Sequence, residues 1–264
     1  MNCSDFNIHK EEKKPLVSII IPSYNTADFI AFTLDSVLSQ SFEDFECLVV
    51  DDASNDGSVG IIEAFSKKDS RISCIALHKN VGVSEARNIA LEKAQGRFIA
   101  FLDSDDVWEK DKLKIQIQFM LSKNISFSHT SYLVIDEKNN KLGSFVPKSD
   151  ISYEDILKTC DIANSTAVYD SSVLGKLCSG NIRHDYEIWL KILKQYHSFA
   201  PPPKYFLASI RIRKGSDTYN KIKSAKRQWE VYRQVEKLSF FSSVYYFIHY
   251  IYYGIKKQFF YFGG

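Results

Sequence analysis

At 264 residues, with 45% hydrophobic and 25% charged positions, the chain has the composition of an ordinary soluble globular protein, one large domain or one domain with an extension. Its net charge of +2 hides an uneven spread: residues 201–264 hold twelve Lys/Arg against three acids, +9, leaving −7 for residues 1–200, and a basic tail on an acidic body points to an anionic partner for the tail. The five cysteines form no CxxC pair, Met1 to Lys14 is too polar for a signal peptide, and no run of 18 apolar residues marks a transmembrane helix, so a zinc site, a leader and a membrane span are not expected and a cytoplasmic chain is.

Residues 1–14 read as a flexible arm. Leu16 to Ile21 is an apolar run ended by Pro22, a first buried strand. Phe29, Ile30, Leu34, Val37 and Leu38 recur at helical spacing, so a helix spans about 27–40. Phe45 to Val50 is a second strand, stopped by Asp51-Asp52, and Asn55-Asp56-Gly57-Ser58 is turn chemistry. A helix starts at Ile61, a third strand runs from Ile72 to Leu77, and Val83 to Ala94 is helical with Gly96 as its C′ residue. Phe98 to Leu102 is the fourth strand. These strands are too apolar to be half exposed, which predicts a parallel sheet covered on both faces. Right-handed crossovers then bring Pro22-Ser23-Tyr24, Asp51-Asp52, Asn80-Val81-Gly82 and Asp103-Ser104-Asp105-Asp106 to one edge.

The second half is less regular. Helices are expected over Lys112–Lys123, Tyr153–Thr159 and Asp185–Tyr196, and short strands over 125–127, 131–135, 165–169 and 205–212. Ser216 to Leu238 is helical and basic, and Phe240 to Phe262 is rich in Tyr and Phe.

The chemistry-bearing residues lie where an open α/β sheet binds ligands, at the carboxyl ends of its strands. Asp103, Asp105 and Asp106 crowd into four positions. Such acids repel one another unless a hard cation lies between them, or they are a polar loop capping a helix that begins near Trp108. Asp51-Asp52 forms a turn or offers a carboxylate to the imide N–H of a uracil, Asp52 more than Asp51. Tyr24 stacks on a base or simply packs. Arg87, in the first turn of a helix after Gly82, adds charge to an anion site or pairs with Asp51 or Asp52. Asp185 is a carboxylate in a helix's first turn or a general base facing the sheet edge. Arg211, Arg213, Lys214 and Lys221 meet a diphosphate or form a solvated face. No GxGxxG, Walker A or GxSxG pattern is present.

Four ordered segments, Leu16 to Asn25, Val49 to Ser54, Ala86-Arg87-Asn88 and Phe101 to Asp106, resemble inverting nucleotide-sugar glycosyltransferases with the GT-A fold, glycosyltransferase family 2. The later part, with Asp185 to Leu190 and Val231-Tyr232-Arg233, is similar to bacterial enzymes of teichuronic-acid and O-antigen type. The resemblance implies a Rossmann-like, mostly parallel sheet flanked by helices over residues 15–215, with a nucleotide half (15–107), an acceptor half (108–215) and a helical extension (216–264). It implies that Pro22, Tyr24, Asn25, Asp52, Arg87, Asp103 and Ser104 hold the nucleotide sugar. Asp105 with Asp103 would bind Mg2+ or Mn2+, and Asp185 would be the base. Arg211, Arg213 and Lys221 are candidates for a diphosphate or the acceptor. The implied reaction moves a hexose from a UDP-sugar to a hydroxyl of a lipid-linked saccharide, whose diphosphate would suit both the basic tail and the Arg211/Lys221 region. His184 stands where many relatives carry Glu. Two other readings stay open: a nucleotidyltransferase, disfavoured by Pro22 to Asn25, and a nucleotide- or carbohydrate-binding module without activity. No nucleic-acid partner is expected. Residues 240–262 either pack on the body or a second copy, as in a homodimer, or lie on the inner face of an anionic membrane.

Overall fold

The computed structural model describes residues 14–213 and 221–262. All but Lys14 of the expected arm, Cys3, Lys214 and the start of the basic helix at residues 216–220 lie outside them, as does the side chain of Lys221. The chain alternates strand and helix through β1 (Val17–Ser23), α1 (Ile30–Leu38), β2 (Phe45–Asp51), α2 (Ser58–Lys68), β3 (Ile72–Ala76), α3 (Val83–Lys93) and β4 (Phe98–Phe101). Then follow β5 (Val107–Trp108), α4 (Lys112–Lys123), β6 (Phe127–Ser128), β7 (Ser131–Ile135), β8 (Lys141–Phe145), β9 (Asp150–Ile151) and α5 (Tyr153–Lys158). The remainder is β10 (Val168–Asp170), α6 (Ser171–Leu174), α7 (His184–Leu193), β11 (Ser198–Phe199), β12 (Phe206–Arg211), α8 (Lys221–Glu230), a π turn at Val231–Val235, and α9 (Phe240–Phe262).

Eight strands form one sheet in the order β3-β2-β1-β4-β10-β6-β11-β9, and a second sheet runs β5-β12-β7-β8. The first four strands of the large sheet are parallel, with β1 central between β2 and β4. β10 joins antiparallel to β4, which makes the sheet mostly rather than wholly parallel. Side chains alternate across a strand, and β1 shows the consequence. Ile20 faces a cluster built from α3, α7 and Phe101, whereas Ile19 and Ile21 face another built from α1, α4 and the second sheet. Trp189 of α7 fills the first cluster, stacked on Phe127 at 5.1 Å and edge-on to Phe101 at 5.2 Å. Both faces of β1, β2 and β4 are therefore buried, as their apolar runs required, whereas β3, at the sheet edge, leaves Ser73 and Ala76 exposed, against the expectation of a fully covered strand.

Two local expectations are corrected. Gly96 is not a left-handed C′ glycine: α3 ends at Lys93, Ala94 caps it, and Gly96 is not among the positive-φ residues. It is required because a Cβ there would lie 2.4 Å from the Ser18 backbone nitrogen, and its own N–H donates to Ser18 Oγ at 2.8 Å. No helix begins near Trp108 either. Val107–Trp108 is a strand paired to β12, so Asp106 caps nothing.

Candidate active site

The parallel strands deliver four loops to one edge, and side chains tie these loops together. Asp51 forms the turn: it accepts the Ser54 N–H at 2.8 Å and the Ser54 hydroxyl at 2.6 Å. Asp52 reaches across to the next loop, where its two oxygens accept the Val81 and Gly82 N–H groups at 2.7 and 2.8 Å. Asn25, held at φ 50°, donates its N–H to Ser54 Oγ at 2.9 Å and accepts the Asn55 N–H at 3.0 Å. Pro22 is buried within β1, while Tyr24 stands exposed at the strand's end.

The acid loop after β4 divides its carboxylates by depth. Asp106 is buried, accepting the Ser165 hydroxyl at 2.5 Å and the Arg211 N–H at 2.8 Å. Burial pushes its carboxyl well above the usual range, with Asp105 and Asp103 adding to the rise. Ser104 is buried too, and its carbonyl accepts the Thr33 hydroxyl. Asp103 and Asp105 point to the cleft side. Asp103 accepts Asn164 Nδ2 at 2.7 Å and lies 3.5 Å from Arg87 Nη2. Enclosure raises its carboxyl to about 6; Arg87 opposes the rise, and Asp105 and Asp185 add to it. Asp105 accepts Arg213 Nε at 2.6 Å.

The arginines sit differently from the sequence expectation. Arg87 is buried and its ion pair runs to Asp103, not to Asp51 or Asp52. Arg211 is buried beneath the acid loop. Its Nε donates to the Asp105 carbonyl at 2.7 Å and its Nη1 to the Asp136 carbonyl at 2.8 Å, while its guanidinium lies over the Phe29 ring. It clamps the loop from below because an unpaired buried guanidinium would be costly. Arg213 alone of the two reaches the cleft.

Asp185 comes from the other side, in the first turn of α7. Its backbone is set by its neighbours: Glu187 accepts the Ile182 and Arg183 N–H groups at 2.8 and 2.9 Å, and His184, at φ 43°, meets the Ser84 hydroxyl through Nδ1. The Ser179 N–H donates to Asn88 Oδ1 at 2.7 Å, which binds this loop to α3. Among the described residues no hydrogen bond or ion pair occupies the Asp185 carboxylate. Its charge nonetheless reaches Asp103, so the two acids share one cleft.

The structure thus gathers Arg87, Asp103, Asp105, Arg213 and Asp185, while Pro22, Ser104 and Arg211 serve as framework. Sequence reasoning missed Asn164, Ser165, Ser84 and Glu187. The polar run Asn164-Ser165-Thr166 ahead of an apolar strand was a usable signal, since it forms a 3-10 turn. Ser84 and Glu187 gave none, because their partners are far along the chain or in an irregular loop. Among the described residues no three His, Cys, Asp or Glu side chains converge as a metal cluster. Two carboxylates beside the orphaned, buried Asn164 Oδ1 are an all-oxygen donor set. That set suits Mg2+ or Mn2+, which takes one or two carboxylates and fills its shell from substrate phosphates.

A mostly parallel sheet carrying an Asp-x-Asp loop at its carboxyl edge, opposed by a carboxylate on a later helix, defines a GT-A glycosyltransferase. The sequence model of glycosyl transferase family 2 matches residues 18–178, and the chain belongs to that family. It is 41% identical to the teichuronic acid biosynthesis glycosyltransferase TuaG of Bacillus subtilis, over 93% of this chain and 98% of that one. It is 40% identical to WfgD of Escherichia coli, named a UDP-Glc:α-D-GlcNAc-diphosphoundecaprenol β-1,3-glucosyltransferase, over 92% and 95%. In fold it is similar to S. aureus TarS 1–349, solved with UDP-GlcNAc, at a TM-score of 0.65 and 24% identity, covering 82% of this chain and 64% of that one. The chain is an enzyme of the glycosyltransferase class, which removes the nucleotidyltransferase and inactive-module readings. Among the described residues no helix is long and apolar enough to cross a membrane.

Proposed function

We propose that the chain transfers a hexosyl group from a UDP-sugar to a hydroxyl of a lipid-linked saccharide, with inversion, during bacterial surface polysaccharide synthesis at the inner membrane surface. The observation that carries this reading is the unoccupied hydrogen-bonding capacity of Asp185 across the cleft from Asp103 and Asp105. The activity for which WfgD is named supports the donor and acceptor classes and makes UDP-glucose the first donor to try.

In this reading residues 15–107 carry the donor and residues 108–215 face the acceptor. Tyr24 stacks on the uracil. Asp52 has spent one lone pair on each oxygen and keeps others for the imide N–H. Asp105, with Asp103, would hold Mg2+ or Mn2+, which when bound supplies positive charge against the diphosphate and the developing leaving group. Arg87 and Arg213 add fixed charge beside those acids. An acceptor hydroxyl has too high a pKa to attack unaided, and Asp185 takes its proton as the new bond to the anomeric carbon forms and the bond to the phosphate oxygen breaks. A single displacement from the face opposite the leaving group inverts the anomeric centre.

The test is UDP release by the purified chain from a panel of UDP-sugars, with a GlcNAc-diphospho-lipid acceptor and Mg2+ or Mn2+. Release with UDP-glucose and a β-linked product by NMR are expected, both abolished in Asp105→Ala. An α-linked product excludes inversion, and no release from any UDP-sugar excludes the donor class.

A further inference from the structure

Helix α9 has two opposed faces. Ser243, Tyr246, Phe247, Tyr250 and Lys257 face the body: Ser243 is buried, Tyr246 and Phe247 pack against the α3–α7 core, and Lys257 pairs with Asp161 at 2.6 Å. On the other side, Phe241, Tyr245, Ile248, Tyr252 and Ile255 follow one another at steps of four, three, four and three residues. They are 83, 50, 62, 59 and 55% exposed. At 100° per residue these five fall within one narrow arc and extend over roughly 20 Å of helix. A contiguous apolar face of this kind is unusual on a free surface and marks an interaction site.

The occupant is decided by charge. From Phe240 to Phe262 the helix has no Asp or Glu, and exposed Lys256 flanks the stripe at its end. The adjoining segment exposes Lys223, Lys226, Arg233 and Lys237. Its two acids are Glu230 and Glu236, and Glu236 is spent internally on Lys194 and Tyr153. A second copy of the same helix would bring lysines to a seam without acids to meet them, whereas paired helices are held in register by opposite charges beside the seam. An anionic bilayer complements a helix that carries cations and no acids, and Tyr and Phe beside Lys are the side chains that favour its interface.

We infer that the Phe241–Tyr245–Ile248–Tyr252–Ile255 face of α9 is a docking surface for an anionic lipid bilayer. The helix lies flat on it, since its other face is already committed to the body. Its inner side also borders the acceptor side of the cleft: the Tyr250 ring lies 5.8 Å from the Arg183 guanidinium, two residues before Asp185. Docking therefore brings the Asp185 loop within one helix thickness of the lipid. This link to the reaction rests on the proposed role of Asp185; the docking surface does not.

The test is co-sedimentation of the full chain with vesicles of phosphatidylglycerol and phosphatidylethanolamine, or of phosphatidylcholine alone. Binding to the anionic vesicles is expected, weakening as salt is raised and at least tenfold weaker in the Phe241→Glu, Ile248→Glu double variant and in Tyr252→Asp alone. The variants should keep the parent's circular dichroism, as all three positions are exposed. No binding by the parent, or equal binding to phosphatidylcholine, overturns the inference. So does a lipid-free dimer, seen by light scattering, that the same variants dissolve. Vesicle binding without UDP release from any donor sinks the proposed function and leaves this surface standing; UDP release without vesicle binding does the reverse.

Discussion

The eight-stranded sheet has two unlike halves. From β3 to β4 the strands are four to seven residues long and parallel, and β1, β2 and β4 are buried on both faces while the edge strand β3 is only partly covered. From β10 to β9 they are two or three residues long, too short for their ladders to hold them. Side chains do so instead. Buried His129 joins Ser198 at 2.7 Å and the Lys148 carbonyl at 2.8 Å. Gln116 donates to Ser128 Oγ and the Thr166 carbonyl, and Arg97 pairs with Asp170 at 2.7 Å. The stiff half carries the loops of Asp52 and Asp103, and α7 sits across the junction, its Trp189 stacked on Phe127 and edge-on to Phe101 of β4. The difference teaches that the loops of Asp52 and Asp103 and the helix of Asp185 rest on differently built parts of one sheet, joined where Trp189 touches both.

The strongest way to break that division is Asp185→Asn. Turnover should fall about 10²–10⁴-fold while calorimetric affinity for the UDP-sugar stays as it was; an equal loss of both would join the halves again. Acid should act on the second half first. Burial pushes the His129 imidazole down to about 4, so the folded chain keeps it neutral and the unfolded chain takes the proton first. Its stabilising share is whole above pH 6.5 and disappears between there and about 4, an effect of about 3 kcal/mol at most. Urea unfolding at pH 7 and pH 4.5 should show the parent losing stability and His129→Gln losing distinctly less across that window.

Asp106→Ala should cost about 1–3 kcal/mol in the same assay, because the Arg211 N–H and the Ser165 hydroxyl lose a buried acceptor. Unchanged stability would show that these two bonds do not hold the acid loop in place. The smallest effect is expected from Asp52→Ala. Releasing the Val81 and Gly82 N–H groups and, in the proposed reading, the uracil imide N–H should weaken donor binding by about 1 kcal/mol, raising the donor KM about fivefold with kcat nearly constant.

The same contrast explains what could be read in advance. Strands buried on both faces leave continuous apolar runs, so β1, β2 and β4 were legible within a residue or two, as was the half-covered β3 between its turn residues, and α7 showed through its helical period. β9 and β11, at two residues each, leave no period, and β5 hid in a stretch that looked like a helix start. Within the site, residue type located Asp103, Asp105, Asp185 and Arg87, because charge at a strand end or helix start is conspicuous. Depth was not legible. Nothing in Asp103-Ser104-Asp105-Asp106 tells which acid turns inward; that depends on Ser165 and Arg211, 59 and 105 residues later. Gly96 was noticed for the wrong reason, since a helix end and a crowded strand both ask for the residue without a side chain.

Gly180 and Glu187 bear on how freely the loop before α7 can change. A Cβ at residue 180 would sit 2.0 Å from the Glu187 carboxyl group, the group that also fixes the Ile182 and Arg183 backbone. The two positions therefore form a lock and its key within one short stretch. A lineage or an engineer altering residues 178–183 is free to vary Asn181, which is exposed, but must keep Gly180 and Glu187 together or replace both at once.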